Sequence, residues 1–179
     1  MRRLTRRALA GSILLAAFTV SACKRRHRRA EAQPEQAPGT MLSELQMGDA
    51  RAAVQLAKGF YDPEGNAWRW TQKHFSVVLA PPPGAAQRGA SLAFHFTLPE
   101  AEFSKLGPIT LSASIAGQDL PPQTYSAAGD YVFKRNVPAT LLSAQAVNVD
   151  FQTDKSLPPT GTDQRELGLV ATSIALQAE

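Results

Sequence analysis

The residues best suited to chemistry lie close together in Phe60-Tyr61-Asp62-Pro63-Glu64-Gly65-Asn66-Ala67-Trp68-Arg69-Trp70-Thr71, the densest aromatic stretch of the chain. If Trp68 and Trp70 lie on a strand they share one face and Arg69 points to the other. Two coplanar rings of this size form the surface on which the C–H faces of a sugar stack, while neighbouring Asp, Asn or Arg bond its hydroxyls. Filling a sandwich core is the commoner use of such a pair, each ring burying on the order of 200 Å². Tyr61, Trp68, Trp70, Arg69 and, from the far end of the chain, Arg165 are therefore the candidate ligand-binding residues. Arg165 also suits a structural latch to Asp163 or Glu64, which is the commoner role.

Catalytic signatures are missing. There is no Gly-x-Ser-x-Gly elbow, no phosphate-cradling glycine loop and no His-Glu-x-x-His pair. Beyond the N-terminal region only His74 and His95 remain, neither with a second histidine or a cysteine at ligand spacing. No metal, no cofactor and no catalytic residue are expected, and the chain reads as a non-enzyme. A carboxylate-pair hydrolase of sugars is the alternative, because two acids can meet from anywhere in a chain. Asp62 and Glu64 are its first suspects, although Asp-Pro-Glu-Gly is also a turn sequence.

The elements that must position these residues follow from the periodicity. Leu42, Leu45, Met47, Ala50, Ala53, Val54 and Leu56 recur at roughly helical spacing, with Asp49 as cap and Gly59 as stop, and predict one short helix ending near Lys58. After Gly59, short β-branched and aromatic runs are broken by Pro and Gly. The candidate strands are 68–71, 74–79, 91–97, 109–115, 131–134, 146–151 and 167–176. Leu92, Phe94, Phe96 and Leu98, then Val147, Val149 and Phe151, alternate with smaller or polar residues, as strands with one buried face do. The runs at Pro81-Pro82-Pro83, Pro121-Pro122 and Pro158-Pro159 are expected to be exposed connections, since proline gives a ladder no donor. The fold class is all-β, an antiparallel β-sandwich of about seven strands preceded by that helix.

The N-terminal region is an address. Arg2, Arg3, Arg6 and Arg7 precede the uncharged Ala8 to Val20, thirteen residues long, where a bilayer-crossing helix needs roughly twenty. Val20-Ser21-Ala22-Cys23 then places small residues before the only cysteine of the chain. This segment resembles the bacterial lipobox, with Val in place of the commoner Leu. The resemblance implies cleavage before Cys23, a diacylglycerol on its sulfur and often a third acyl chain, such as palmitate, on its amine. Two or more chains anchor stably where one is marginal. Thr5-Arg6-Arg7-Ala8-Leu9 also resembles a twin-arginine export motif, which leaves the export route open between that system and the general secretory one.

Residues 1–22 thus read as a lipoprotein signal peptide, 23–40 as a basic, proline-containing tether that is disordered, and 41–179 as the folded domain. Lys24, Arg25, Arg26, Arg28 and Arg29 stand beside the proposed anchor and either assist it on anionic lipid head groups or form a solvated leash. The lipoprotein resemblance further implies outer-membrane delivery, facing the periplasm or the surface, because Lys24 occupies the place where Asp would favour retention in the inner membrane. The full chain has nineteen basic and fifteen acidic residues, but from Met41 onward ten basic face thirteen acidic. Such a domain lacks the concentrated basic surface that nucleic acid requires. With one cysteine, no disulfide staples it, so packing must hold it.

Gly59-Phe60-Tyr61, Asp62, Trp68-Arg69-Trp70-Thr71 and Asp163-Gln164-Arg165-Glu166-Leu167-Gly168 resemble an uncharacterised bacterial sandwich domain found alone in lipoproteins and beside glycosyltransferases. The resemblance covers 59–176 and carries no catalytic residue across. Its only functional implication is an association with envelope sugars. The lipid anchor, the tether, the all-β domain and the aromatic-rich segment without catalytic motifs together point to a non-catalytic envelope module that binds glycan or a protein partner; a purely structural subunit of an envelope assembly is the remaining expectation.

Overall fold

The computed structural model describes residues 40–179; the expectations for Cys23, for Lys24 to Arg29 and for the signal peptide and most of the tether lie outside them. Among the described residues no helix is long and apolar enough to cross a membrane.

Nine antiparallel strands build the domain: β1 (Glu44–Gln46), β2 (Leu56–Phe60), β3 (Arg69–Leu79), β4 (Ala90–Leu98), β5 (Ile109–Ile115), β6 (Gln118–Tyr125), β7 (Gly129–Val137), β8 (Val147–Thr153) and β9 (Val170–Ala178). Two short helices, α1 (Ala85–Arg88) and α2 (Glu100–Leu106), flank β4. The strand path is β6-β5-β8-β3-β9-β4-β7, with β1 added on β9 and β2 on β3. β3 joins the two layers, pairing Arg69 and Trp70 with Ala171 and Val170 of β9, then His74 to Leu79 with β8.

At the opposite edge β6 and β7 face each other across a seam that leaves the sheet nearly closed. Arg135 of β7 spans it, donating from Nε to the Pro121 carbonyl at 2.6 Å and from Nη2 to Pro122 O at 3.1 Å and Gln123 Oε1 at 3.0 Å.

Alternation accounts for the core. Along β8 Val147, Val149, Phe151 and Thr153 are buried and Asn148, Asp150 and Gln152 face outward. Phe75 of β3 stacks on its cross-strand neighbour Phe151 at 5.0 Å, and Phe94 of β4 meets both from the other layer, at 5.6 and 5.1 Å. Each such aromatic pair contributes about 0.5–1.5 kcal/mol beyond the area it buries.

Three local expectations change. Asp49 does cap a helix, accepting from the Arg51 amide, but it is a six-residue 3-10 helix, Ala50–Gln55. The residues before it form β1, where Leu45 is inward and Glu44 and Gln46 outward, and the chain enters β2 at Leu56 instead of staying helical to Lys58. The runs 68–71 and 74–79 belong to one strand. Pro121 and Pro122 are inside β6 and not in a connection, because β6 is an edge strand with a bulge between its Leu111 and Ala113 pairings. Their missing N–H groups therefore break no ladder.

Candidate functional site

The tryptophan hairpin is held by its own turn. Gly65 and Asn66 take left-handed φ values of 58° and 51°, Ala67 N donates to Glu64 O at 3.2 Å and Glu64 N to Trp68 O at 2.9 Å, so the turn is Glu64 to Ala67, two residues later than Asp-Pro-Glu-Gly suggests, and Asp62 stands exposed before it. Trp68 and Trp70 share a face as expected. They are half-buried, outside the main core, and their rings meet edge to face, 6.1 Å apart at 84°. The pair is thus neither core filler nor a flat two-ring platform: one ring edge abuts the other ring's face.

Arg69 points the opposite way and is 7% exposed, its Nε donating to Met47 O at 2.9 Å and Nη1 to Tyr61 O at 3.0 Å. It ties β3 to the end of β1. Arg165 forms the latch: Nη1 reaches Glu64 at 2.8 Å and Nη2 reaches Asp163 at 2.8 Å. The hydrogen bonds from the Arg165 side chain and backbone hold the Asp163 carboxyl down at about 2, and the same contacts raise Arg165 above its usual value. Tyr61 OH completes the join, accepting from the Glu166 amide at 3.0 Å. Tyr61, Arg69 and Arg165 are therefore all engaged in fastening the hairpin, and Trp68 and Trp70 are what it presents.

A second feature lies further along the same strand. A groove of about 520 Å³ crosses the outer face of β2, β3, β8, β5 and β6, bordered by Lys58, His74, Ser112, Ser114, Asp119, Asp150 and Gln152. Strand register explains why these side chains meet. Lys58 pairs with Ser76, Ser76 with Asp150, Asp150 with Ser114 and Ser114 with Asp119, one row across five strands. A second row runs His74, Gln152, Ser112. With strands about 4.8 Å apart, the first row is roughly 19 Å long. Lys58 Nζ pairs loosely with Asp150 at 3.5 Å, with 62% and 42% of the side chains exposed, and Asn148 donates to the other Asp150 oxygen.

Close approach of β2 to β3 makes the groove wall possible. Gly59 sits at φ +76, and a Cβ there would lie 2.1 Å from the His74 carbonyl. Only glycine fits both the conformation and the space.

Trp70, Gln72 and His74 alternate with the inward-facing Arg69, Thr71 and Phe75, so hairpin and groove share the outer face of β3. From Trp70 to His74 is about 13 Å along the strand. The polar rows were missed in the sequence, although Asn148, Asp150 and Gln152 already alternate with apolar residues there; what aligned them with Lys58 and Asp119 was register. Among the described residues no three His, Cys, Asp or Glu side chains converge as metal ligands would.

No family model matches this chain, and no curated protein matches it. Among solved structures it is similar to an acetyl xylan esterase, Est2A, from the rumen bacterium Butyrivibrio proteoclasticus, with 9% identity and a TM-score of 0.46 over 78% of this chain and 33% of that one. The chain thus spans about a third of the length of that esterase. It is also similar to a chain from work on CBM4 structure and function, with 12% identity and a TM-score of 0.30 over 75% of this chain and 81% of that one.

Proposed function

We propose that this protein is a non-catalytic binding module of the bacterial cell envelope, lipid-anchored through Cys23, which takes a glycan along the outer face of β3. The observation that carries the reading is the continuity of that face: half-buried rings at Trp68 and Trp70, then Gln72, then the polar rows of the groove. A shallow, elongated surface of mixed donors and acceptors suits a chain of hydroxyls, which no single charge would hold. An indole at one end suits an apolar sugar face. The exposed Lys58–Asp150 pair contributes below about 1 kcal/mol to folding, so hydroxyls can replace it at little loss.

The test is calorimetric titration of the full chain, in non-ionic detergent, with a panel of envelope polysaccharides, followed in parallel by fluorescence of Trp68 and Trp70. Binding that weakens at least tenfold in both Trp70→Ala and Gln152→Ala supports the reading. An unresponsive protein at millimolar ligand sinks it. For the anchor, the mature chain is expected to carry acyl mass on Cys23, and Cys23→Ser to leave the membrane fraction; an unmodified membrane-bound chain would refute that part.

Hydrolysis of the bound glycan is the second reading, favoured by one observation: Asp119 and Asp150 border the groove on the strands either side of β5. Release of new reducing ends that disappears in both Asp119→Asn and Asp150→Asn would replace the binding reading with that one.

A further inference from the structure

The charge inventory of the groove specifies its ligand further, and rests on the glycan reading above. Lys58 is the one lysine or arginine among the lining residues, and it is paired with Asp150. Asp119, at the other end of the same row, is exposed, and among the described residues no cation pairs with it. Its neighbours in the row and beside it are Ser114, Leu120 and Pro122, none of which brings a positive charge. With the His74 imidazole neutral, the groove therefore carries one fixed anion beyond neutrality, in a domain that is itself acidic from Met41 onward. A polymer of uronic acids or phosphates would meet repulsion there, and a neutral polymer would leave Asp119 without a counter-charge.

We infer that the groove selects a glycan bearing free amines, with an ammonium group held by Asp119 and the hydroxyls of the same chain bonded by Ser114, Ser112 and Gln152. An ammonium donates in three directions and a carboxylate only accepts, so the two are matched in both charge and hydrogen bonding. At an exposed site the added contact is modest, which sets the expected preference at about fivefold.

The experiment uses the full chain in non-ionic detergent at pH 7 and low salt, titrated with oligomers of glucosamine, of N-acetylglucosamine and of galacturonate of equal length. The expected order is glucosamine tighter than N-acetylglucosamine by about fivefold, with galacturonate weakest. In Asp119→Asn the ratio of the first two falls to about one. Added salt should compress the ratio in the unaltered protein as well. Equal affinities, a preference for the acetylated oligomer, or a preference that persists in Asp119→Asn overturns the inference and leaves the glycan reading standing. Binding of none of the three overturns the inference as well, and the polysaccharide panel above then decides the glycan reading by itself.

Discussion

Glu102 should make this domain lose stability as the pH rises, and a single substitution isolates the effect. The side chain sits in the first turn of α2, is 2% exposed, and neither carboxyl oxygen meets a hydrogen-bond donor. The helix N-terminus would favour a negative charge there, but burial outweighs it and pushes the carboxyl up to about 8 against the usual 4.5, with Lys105 only partly opposing. Below pH 4.5 the group is protonated whether the chain is folded or not, so it costs nothing through charge. Above 4.5 the unfolded chain ionises it and the folded one does not, and each pH unit then removes about 1.4 kcal/mol of stability. The loss reaches roughly 3 kcal/mol at pH 7 and levels off at about 4–5 kcal/mol once the folded group ionises as well. That is a large part of the 5–15 kcal/mol that typically holds a domain together.

Glu102→Gln keeps the shape and removes the titration. Urea denaturation at pH 4.5, 6, 7 and 8 should show the two proteins similar at the lowest pH. The variant should then become progressively more stable, by about 1.4 kcal/mol per unit up to pH 8. Parallel curves for the two proteins would refute the reasoning. Because α2 leads directly into β5, whose Ser112 and Ser114 floor the groove, the protection of the β5 amides against exchange should also fall between pH 5 and 8 in the unaltered protein relative to Glu102→Gln at the same pH.

Gly59→Ala should destabilise by about 2–4 kcal/mol in the same denaturation assay, since it forces alanine into a positive φ and drives a Cβ into the His74 carbonyl. Arg135→Lys should lose about 1–2 kcal/mol and expose the amides of β6 to exchange, because an ammonium cannot reach Pro121, Pro122 and Gln123 at once as the guanidinium fork does. Arg165→Met should cost about 1 kcal/mol or less, the Glu64 pair being over a third exposed, yet open the 163–166 segment to proteolysis; unchanged cleavage would argue against the latch. In the unaltered protein the Asp163 contact should hold above pH 4 and be lost as the pH falls toward 2, seen as the same cleavage appearing in acid with an acid-tolerant protease.

What could be read in the sequence was what depends on neighbours in the chain. The alternation of β4 and β8 and the cap at Asp49 are local, and each is present in the structure, while the turn expected at Asp62 to Gly65 forms two residues later, at Glu64 to Ala67. The misreadings share a cause. Leu45 and Met47 belong to a strand period and Ala50, Ala53 and Val54 to the exposed side of a 3-10 helix whose buried residues are Ala52 and Gln55, but laid end to end the first five imitate one helix. The prolines of β6 looked like a break because nothing local says that a strand will lie at an edge. Trp68 and Trp70 were correctly placed on one face, but their ring angle is set by tertiary packing, and no spacing encodes it.

The groove was the least legible feature because it is made of register. Lys58, Asp150 and Asp119 are separated by tens of residues, and a slip of one position in β8 would turn Asp150 into the core and Val149 out to solvent. The inward faces prevent that slip: Phe75 against Phe151, Val77 against Val149 and Leu111 against Thr153 are all buried, so the hydrophobic match that stabilises the core also fixes which polar residues stand side by side outside it. β3 then extends the result. As the strand shared by both layers, it carries one outer face from the groove past the sheet junction to the tryptophan hairpin, and the Arg165 latch holds that hairpin in place. The ligand surface proposed above is thus composed by register and by the shared strand. It requires that the core keep its register, so under the proposed glycan binding a core substitution such as Phe151→Ala should weaken glycan titration as well as stability.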